Sequence, residues 1–206
     1  MIHLELGGCR VDILPVVNGL VSEAERVREA FQRGYEAYGI SLGADAVYVL
    51  QNRAKASDDD FETGELDLAY AIHMNRFGEV QFPSPAMCEI VDLCTEGSKA
   101  LIPLDMNDER FTDLYIKTVK ATEYVKEHRL AKKGVKKAFD ASTPEELAVQ
   151  WDLYVNKVKG YARMCRYREE FIAEQILDIP RYKKSFLAVI EVERCKGIVD
   201  ILERSA

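Results

Sequence analysis

Phe186-Leu-Ala-Val-Ile190 is an unbroken apolar run with charge on both sides, Arg181-Tyr-Lys-Lys184 before it and Glu191, Glu193 and Arg194 after it. Five successive apolar residues leave no polar face. A strand here must therefore be covered on both sides, as an interior strand of a parallel sheet is. A chain built around such a strand is driven towards one architecture, a sheet between two layers of helix. The flanking residues agree. Tyr167 to Glu203 reads as helix, basic turn, strand and second helix. In open α/β sheets ligands gather beyond the carboxyl ends of the strands, so Glu191, Glu193 and Arg194 stand where a site is expected. On the preceding helix Arg168 has Met164, Phe171 and Ile172 at i−4, i+3 and i+4 and shares their apolar face. A guanidinium so placed must find an anion or carbonyl groups.

The rest of the chain supplies the other elements. Ile2 to Leu6 alternates, Gly7-Gly8 turns, and Arg10 to Leu14 alternates again, a β-hairpin pattern. Ser22 and Glu25 have the spacing of a capping box, with Ala24, Val27, Phe31 and Tyr35 as an apolar stripe and Gly39 as a stop. Ala46-Val-Tyr-Val-Leu50 predicts a second buried strand, and Lys99 to Asp105 a third. Ala56 to Asp60, with Glu62, Gly64 and Glu65, reads as a polar surface loop without EF-hand spacing. Leu66 to Phe77 predicts a helix, and Pro83-Ser-Pro85 opens another that Gly97 ends. Asp108 to Lys137 is charge-rich and helical, with Leu114, Ile116, Val119 and Tyr124 expected to face a core. Thr143-Pro144-Glu-Glu146 starts a helix by cap, proline and acids, and Leu147, Trp151, Tyr154 and Val158 form its packed stripe. These readings give one α/β domain over residues 1–206: a mixed, largely parallel central sheet, helices on both faces, and a helical cap near 108–160.

Charge and cysteine usage exclude several classes. A net charge of −7 disfavours bulk binding to nucleic acid or to an anionic membrane, although Lys132-Lys133 and Lys136-Lys137 form a local basic patch. No apolar run has the length of a membrane span and no signal peptide opens the chain. Five scattered cysteines without C-x-x-C spacing predict reduced thiols. Together these features predict a soluble cytoplasmic protein.

Three segments carry a resemblance. YREEFIAEQIL with FLAVIEVERCKGIVDILE, then LVSEAERVREAF with GADAVYVLQNRAKA, then PAMCEIVDLCTEGSKALIPLDMNDERFTDLYIKT resemble the TraB/PrgY-like superfamily, which includes the TIKI-type proteins. The likeness spans most of the chain. Gly197-Ile198 fits the family's closing turn, and Arg53 and Asp105 fit an arginine and the first aspartate of its other motifs. Leu20, Leu50 and Arg194 stand where the family has histidine, glutamate and histidine, and Met106 and Asn107 replace an arginine and an aspartate. The resemblance implies a metal-dependent peptide hydrolase or a regulator of peptide signals. The replaced positions imply that this chain holds no metal or other cofactor, because leucine cannot ligate a metal and arginine opposes a cation.

The residues themselves suggest few chemistries. His3, His73 and His128 make no ligand pair, and no nucleophile elbow or phosphate loop is present. Glu191 and Glu193, two apart on a strand, would point to one face. The expected ligand-binding set is Arg53, Asp105, Arg168, Glu191, Glu193 and Arg194, with no catalytic or metal-ligating residue assigned. Three guanidiniums near one sheet edge favour a non-catalytic protein that takes an anionic small molecule, peptide or protein partner. Two alternatives stay open. One is a hydrolase with relocated carboxylate chemistry on Asp105, Glu191 and Glu193. The other is an oligomeric scaffold, as a homo-oligomer, whose charge-rich helices form an interface.

Overall fold

The computed structural model describes residues 1–55 and 63–205. Of the expected polar loop, residues 56–62 lie outside them, and Gly64 and Glu65 instead open a helix. Ile2–Leu6 (β1) and Cys9–Val16 (β2) form the antiparallel hairpin that their alternation predicts, Ile2 opposite Ile13 and Leu6 opposite Cys9. The chain continues through helix Glu23–Phe31 (α1) to Ala37–Ile40 (β3), then helices Ala44–Gln51 (α2), Glu65–Met74 (α3) and Pro85–Glu96 (α4) to Leu101–Pro103 (β4). Helices Asp108–Thr118 (α5), Ala121–Tyr124 (α6), Glu127–Val135 (α7), Pro144–Val155 (α8) and Lys159–Asp178 (α9) follow. They lead to Ser185–Glu191 (β5), which passes straight into Val192–Ser205 (α10).

The strand order is β1-β2-β5-β3-β4. β5 runs parallel to β2 and to β3, β3 parallel to β4, and only β1 is antiparallel. The apolar run of β5 thus lies in the interior of a mixed, mostly parallel sheet, as its lack of a polar face requires. Alternate residues serve opposite layers. Phe186, Ala188 and Ile190 pack with Ile172 and Ile176 of α9 and with Ile198 and Leu202 of α10. Leu187 and Val189 pack with Val27 of α1, Leu50 of α2 and Ile90 of α4. All five residues of the run are fully buried, and each large one contributes roughly 1.5–3 kcal/mol of hydrophobic stabilisation. Gly39 permits the close contact between β3 and its neighbours. A Cβ there would lie 2.4 Å from the Phe186 ring and 2.8 Å from Leu104 Cδ1.

A third cluster caps the carboxyl ends of the strands. Val17 and Leu20, just past β2, pack with Tyr70 and Met74 of α3 and with Leu147, Trp151 and Tyr154 of α8. The stripe predicted around Trp151 is buried, and Thr143 Oγ1 accepts a hydrogen bond from the Glu146 amide at 3.2 Å. No helix among the described residues is long and apolar enough to cross a membrane.

Several sequence expectations give way. Ala46 to Leu50 belongs to helix α2, not a strand; Tyr48 is exposed while Val47 and Leu50 are buried, a helical spacing of three. The strand in that region is β3, whose four residues are too short and too glycine-interrupted to announce themselves. Tyr35 lies beyond α1, and Ser22 makes no side-chain cap. Ile116 and Tyr124 face solvent, while Val119 is buried and Leu114 packs beside it. The strand also stops at Glu191, so Glu193 sits in the first turn of α10 and does not share a strand face with it.

Candidate functional site: the crevice beyond the strand ends

Chain direction makes the crevice. β2 leaves the sheet towards α1, which packs on one face, while its neighbour β5 leaves into α10 on the other. The backbone parts between them, the switch-point arrangement at which α/β sheets bind ligands. Register then decides which side chains arrive there. Val16 is level with Glu191, Ile40 with Val189, and Pro103 with Ile40. Asn18, Ser41, Asp105, Glu191 and Glu193 all follow immediately on this edge.

At the base lies a charged cluster. Arg168 donates from Nε to Asp105 Oδ2 at 2.6 Å, and its Nη2 lies 3.7 Å from Glu191 Oε1. Asp105 Oδ1 accepts the Met106 amide at 2.8 Å, and Glu191 Oε2 accepts from the hydroxyl of buried Ser41. Burial works against the Arg168 charge. The carboxylates of Glu191 and Asp105 overcome it and hold the guanidinium above its usual pKa. Arg194 is buried behind the crevice, pairing with Asp152 of α8 and donating to Glu169 Oε1 of α9 at 2.9 Å. Burial pushes it down to about 10, which still leaves it cationic at neutral pH.

Above this base the crevice has two neighbouring parts. One, of about 390 Å³, is walled by Leu42, Val49, Leu50, Phe82 and Met87, with Ser84, Asp108 and Glu191 at its polar side. The other, of about 200 Å³, lies between α3 and α8 and is lined by Tyr70, Trp151, Asp152 and Glu193. Asn18 and Asp67 line both.

Among the described residues three buried side-chain polar atoms make no hydrogen bond to another protein group: Tyr70 Oη, Ser84 Oγ and Glu193 Oε2. All three belong to residues lining this crevice, although such atoms are ordinarily satisfied. Burial, then the Glu191 charge, raises the Glu193 carboxyl to about 7 against a weaker pull from Arg168. Burial, with the nearby Glu193, Glu23 and Asp67 charges, raises the Tyr70 hydroxyl, so it remains a donor at neutral pH. A carboxyl raised to about 7 beside a second carboxyl group suits acid–base work.

The predicted site residues thus divide. Asp105, Arg168 and Glu191 meet in one cluster, with Glu193 just above. Arg194 is held by Asp152 and Glu169. Arg53 turns away, donating from Nη1 to Asp92 Oδ1 of α4 at 2.7 Å and to the Leu50 carbonyl at 2.9 Å. Arg53 therefore pairs with Asp92, and Asp105 with Arg168. The histidines lie elsewhere: His3 on Asp12, His73 on the Gly134 carbonyl and His128 on Glu65, each at 2.8 Å. Tyr70, Ser84, Asp67 and Asp152 gave no sequence signal as site residues, since each sits singly on or beside a helix. The Asn18-Gly19 turn directly after β2 is the local sequence feature that marks this rim.

The chain matches no family model, no curated protein and no solved structure. At the positions that carry the TraB-like resemblance, Leu20 is buried under the helical cap, Leu50 walls the apolar part of the crevice, and Arg194 is the buried partner of Asp152.

Proposed function

We propose that this chain binds a small organic molecule in the crevice beyond β2 and β5, and that Glu193 exchanges a proton with it. The observation that carries this reading is the collection of every unsatisfied buried side-chain polar atom of the described residues at one crevice. Apolar walls bury a ligand and a few convergent polar groups orient it, which is how small-molecule sites are built. The charge of Glu191, held by Ser41 and Arg168, adds to burial in keeping Glu193 ready to give or take a proton near neutral pH. This is the carboxylate chemistry of the hydrolase alternative, with Asp105 acting from below by positioning Arg168. A TraB-like origin would fit it as a crevice in which Leu20, Leu50 and Arg194 have replaced the metal-binding groups. Five unpaired cysteines fit a reducing compartment such as the cytoplasm.

A second reading, capture of an anion by Arg168, draws on the quarter of that side chain left exposed. Against it, carboxylates already hold Arg168, Arg194 and Arg53. Amide and methyl NMR spectra recorded against a panel of cationic, neutral and anionic fragments test both. The crevice reading expects binders that move Asn18, Val49, Tyr70 and Met87. Binders that instead move only the groove of Arg110 and Phe171 between α5 and α9, or none anywhere, would end it.

A further inference from the structure

Resting on that crevice reading, we infer that the ligand is an amphiphilic amine, its ammonium among Asn18, Asp67 and Glu193 and its apolar part against Val49, Phe82 and Met87. Two independent features of the lining lead there. Among the described residues five carboxylates, on Asp67, Asp108, Asp152, Glu191 and Glu193, line the two parts of the crevice, and no lysine, arginine or histidine does. Asp152 is answered by Arg194 and Glu191 by Arg168, both from behind. Asp67, Asp108 and Glu193 are ion-paired with no basic side chain among the described residues. The second feature is the pair of unpartnered hydroxyls, Tyr70 and Ser84, both more than nine-tenths buried, one on each side of Asn18 and Asp67. They belong to a built polar site and not to a solvated acidic surface.

The carboxylates do not gather as a metal site, since no three potential ligands among His, Cys, Asp and Glu converge among the described residues. An ammonium suits them better, because it makes separate charge-assisted hydrogen bonds to spread-out acceptors. The apolar part then requires more than ammonia. Its walls of valine, leucine, phenylalanine and methionine offer a chain or ring a dry surface next to the charged end. The overall charge of −7 adds a long-range attraction for cations.

Proton linkage follows from the groups around Glu193. Facing it are Glu191 at the end of β5, Asp67 and Tyr70 of α3, Asp152 of α8, and Arg168 and Cys165 of α9, while Arg194 of its own helix is turned to Asp152 and Glu169. Of these side chains only the Arg168 guanidinium favours the ionised form, beside a backbone hydrogen bond, and Arg168 is engaged by Asp105 and Glu191. A cation delivered from the open side should lower the Glu193 pKa and release a proton.

The experiment is calorimetric titration of the whole chain at pH 7 with phenethylamine, 2-phenylethanol and phenylacetate, in buffers of different ionisation enthalpy, paired with NMR shifts. The amine should bind at least about tenfold more tightly than the alcohol, carboxylate last, and release up to about half a proton. Glu193→Gln should abolish the proton release and bring the amine's affinity down to that of the alcohol. Val49→Asn should weaken amine and alcohol alike. An alcohol or carboxylate that matches the amine while still shifting Asn18 and Tyr70, or an amine that releases no proton, overturns the amine assignment and leaves the crevice standing. If no probe moves Asn18, Tyr70 or Met87, the crevice reading falls and takes the amine with it.

Discussion

Arg168 and Asp105, 63 residues apart in sequence, meet at 2.6 Å beneath the carboxyl edge of the sheet and tie α9 to the end of β4. The contact completes a chain of partners, Ser41 to Glu191 to Arg168 to Asp105, that fixes the floor of the crevice. Replacing Arg168 by Met would leave Asp105 buried with only the Met106 amide, and would strip Glu191 of its nearest cation. The expected loss is on the order of 3 kcal/mol of unfolding free energy. Urea denaturation measures it, and a Met variant as stable as the parent would refute the pairing.

Glu193 makes stability depend on pH in a defined direction. Its folded pKa of about 7 lies above the ordinary value of 4.5, so the native state holds a proton that the unfolded chain gives up. Stability from this group is complete below about pH 4.5, falls as pH rises through the interval, and is lost above about 7. Glu193→Gln removes the liability. At pH 8 it should stabilise by about 3 kcal/mol, roughly 9 °C in Tm for a chain of this size, and at pH 4.5 by almost nothing. Melting curves across that range check it. An advantage that grows towards low pH would contradict the assignment.

Gly197 is required by the contact between α9 and α10. A Cβ there would lie 2.1 Å from Glu169 Oε2, the carboxylate that accepts from Arg194. Gly197→Ala must swing Glu169 away and strip buried Arg194 of one partner, at a cost of about 1–3 kcal/mol. A double-mutant cycle isolates the cause. In a Glu169→Ala background the same change should cost much less, and equal costs in both backgrounds would show that the glycine matters for another reason.

How much of this was legible depended on the range of the interaction that fixes each feature. The interior strand could be read because five apolar residues permit no half-exposed element, and the Trp151 helix because its cap and stripe are local. β3 could not, since Ala37–Ile40 becomes a strand only by pairing with β5 and β4, with Gly39 making room for Phe186. Ala46 to Leu50 looked like a strand because valine and tyrosine favour one. Tertiary packing of Val47 and Leu50 on the α1–α4 layer decides for helix. Arg168 was legible as a buried charge, but not its partners, which come from β4 and β5. Arg53 entered the expected site through the family resemblance and through a strand end that is in fact the end of helix α2. Tyr70 and Ser84 matter because nothing among the described residues answers their hydroxyls, a property of the assembled crevice and not of any motif.

The central claim is that the fold keeps one carboxyl in the crevice, Glu193, half-protonated at neutral pH. Carbon-13 NMR of side-chain carboxyls, with Glu193 assigned by the Gln variant, measures this directly through a pH titration. The structure predicts a Glu193 midpoint near 7. A Glu193 midpoint at the ordinary glutamate value near 4.5 would contradict the claim and leave the crevice without its acid–base group.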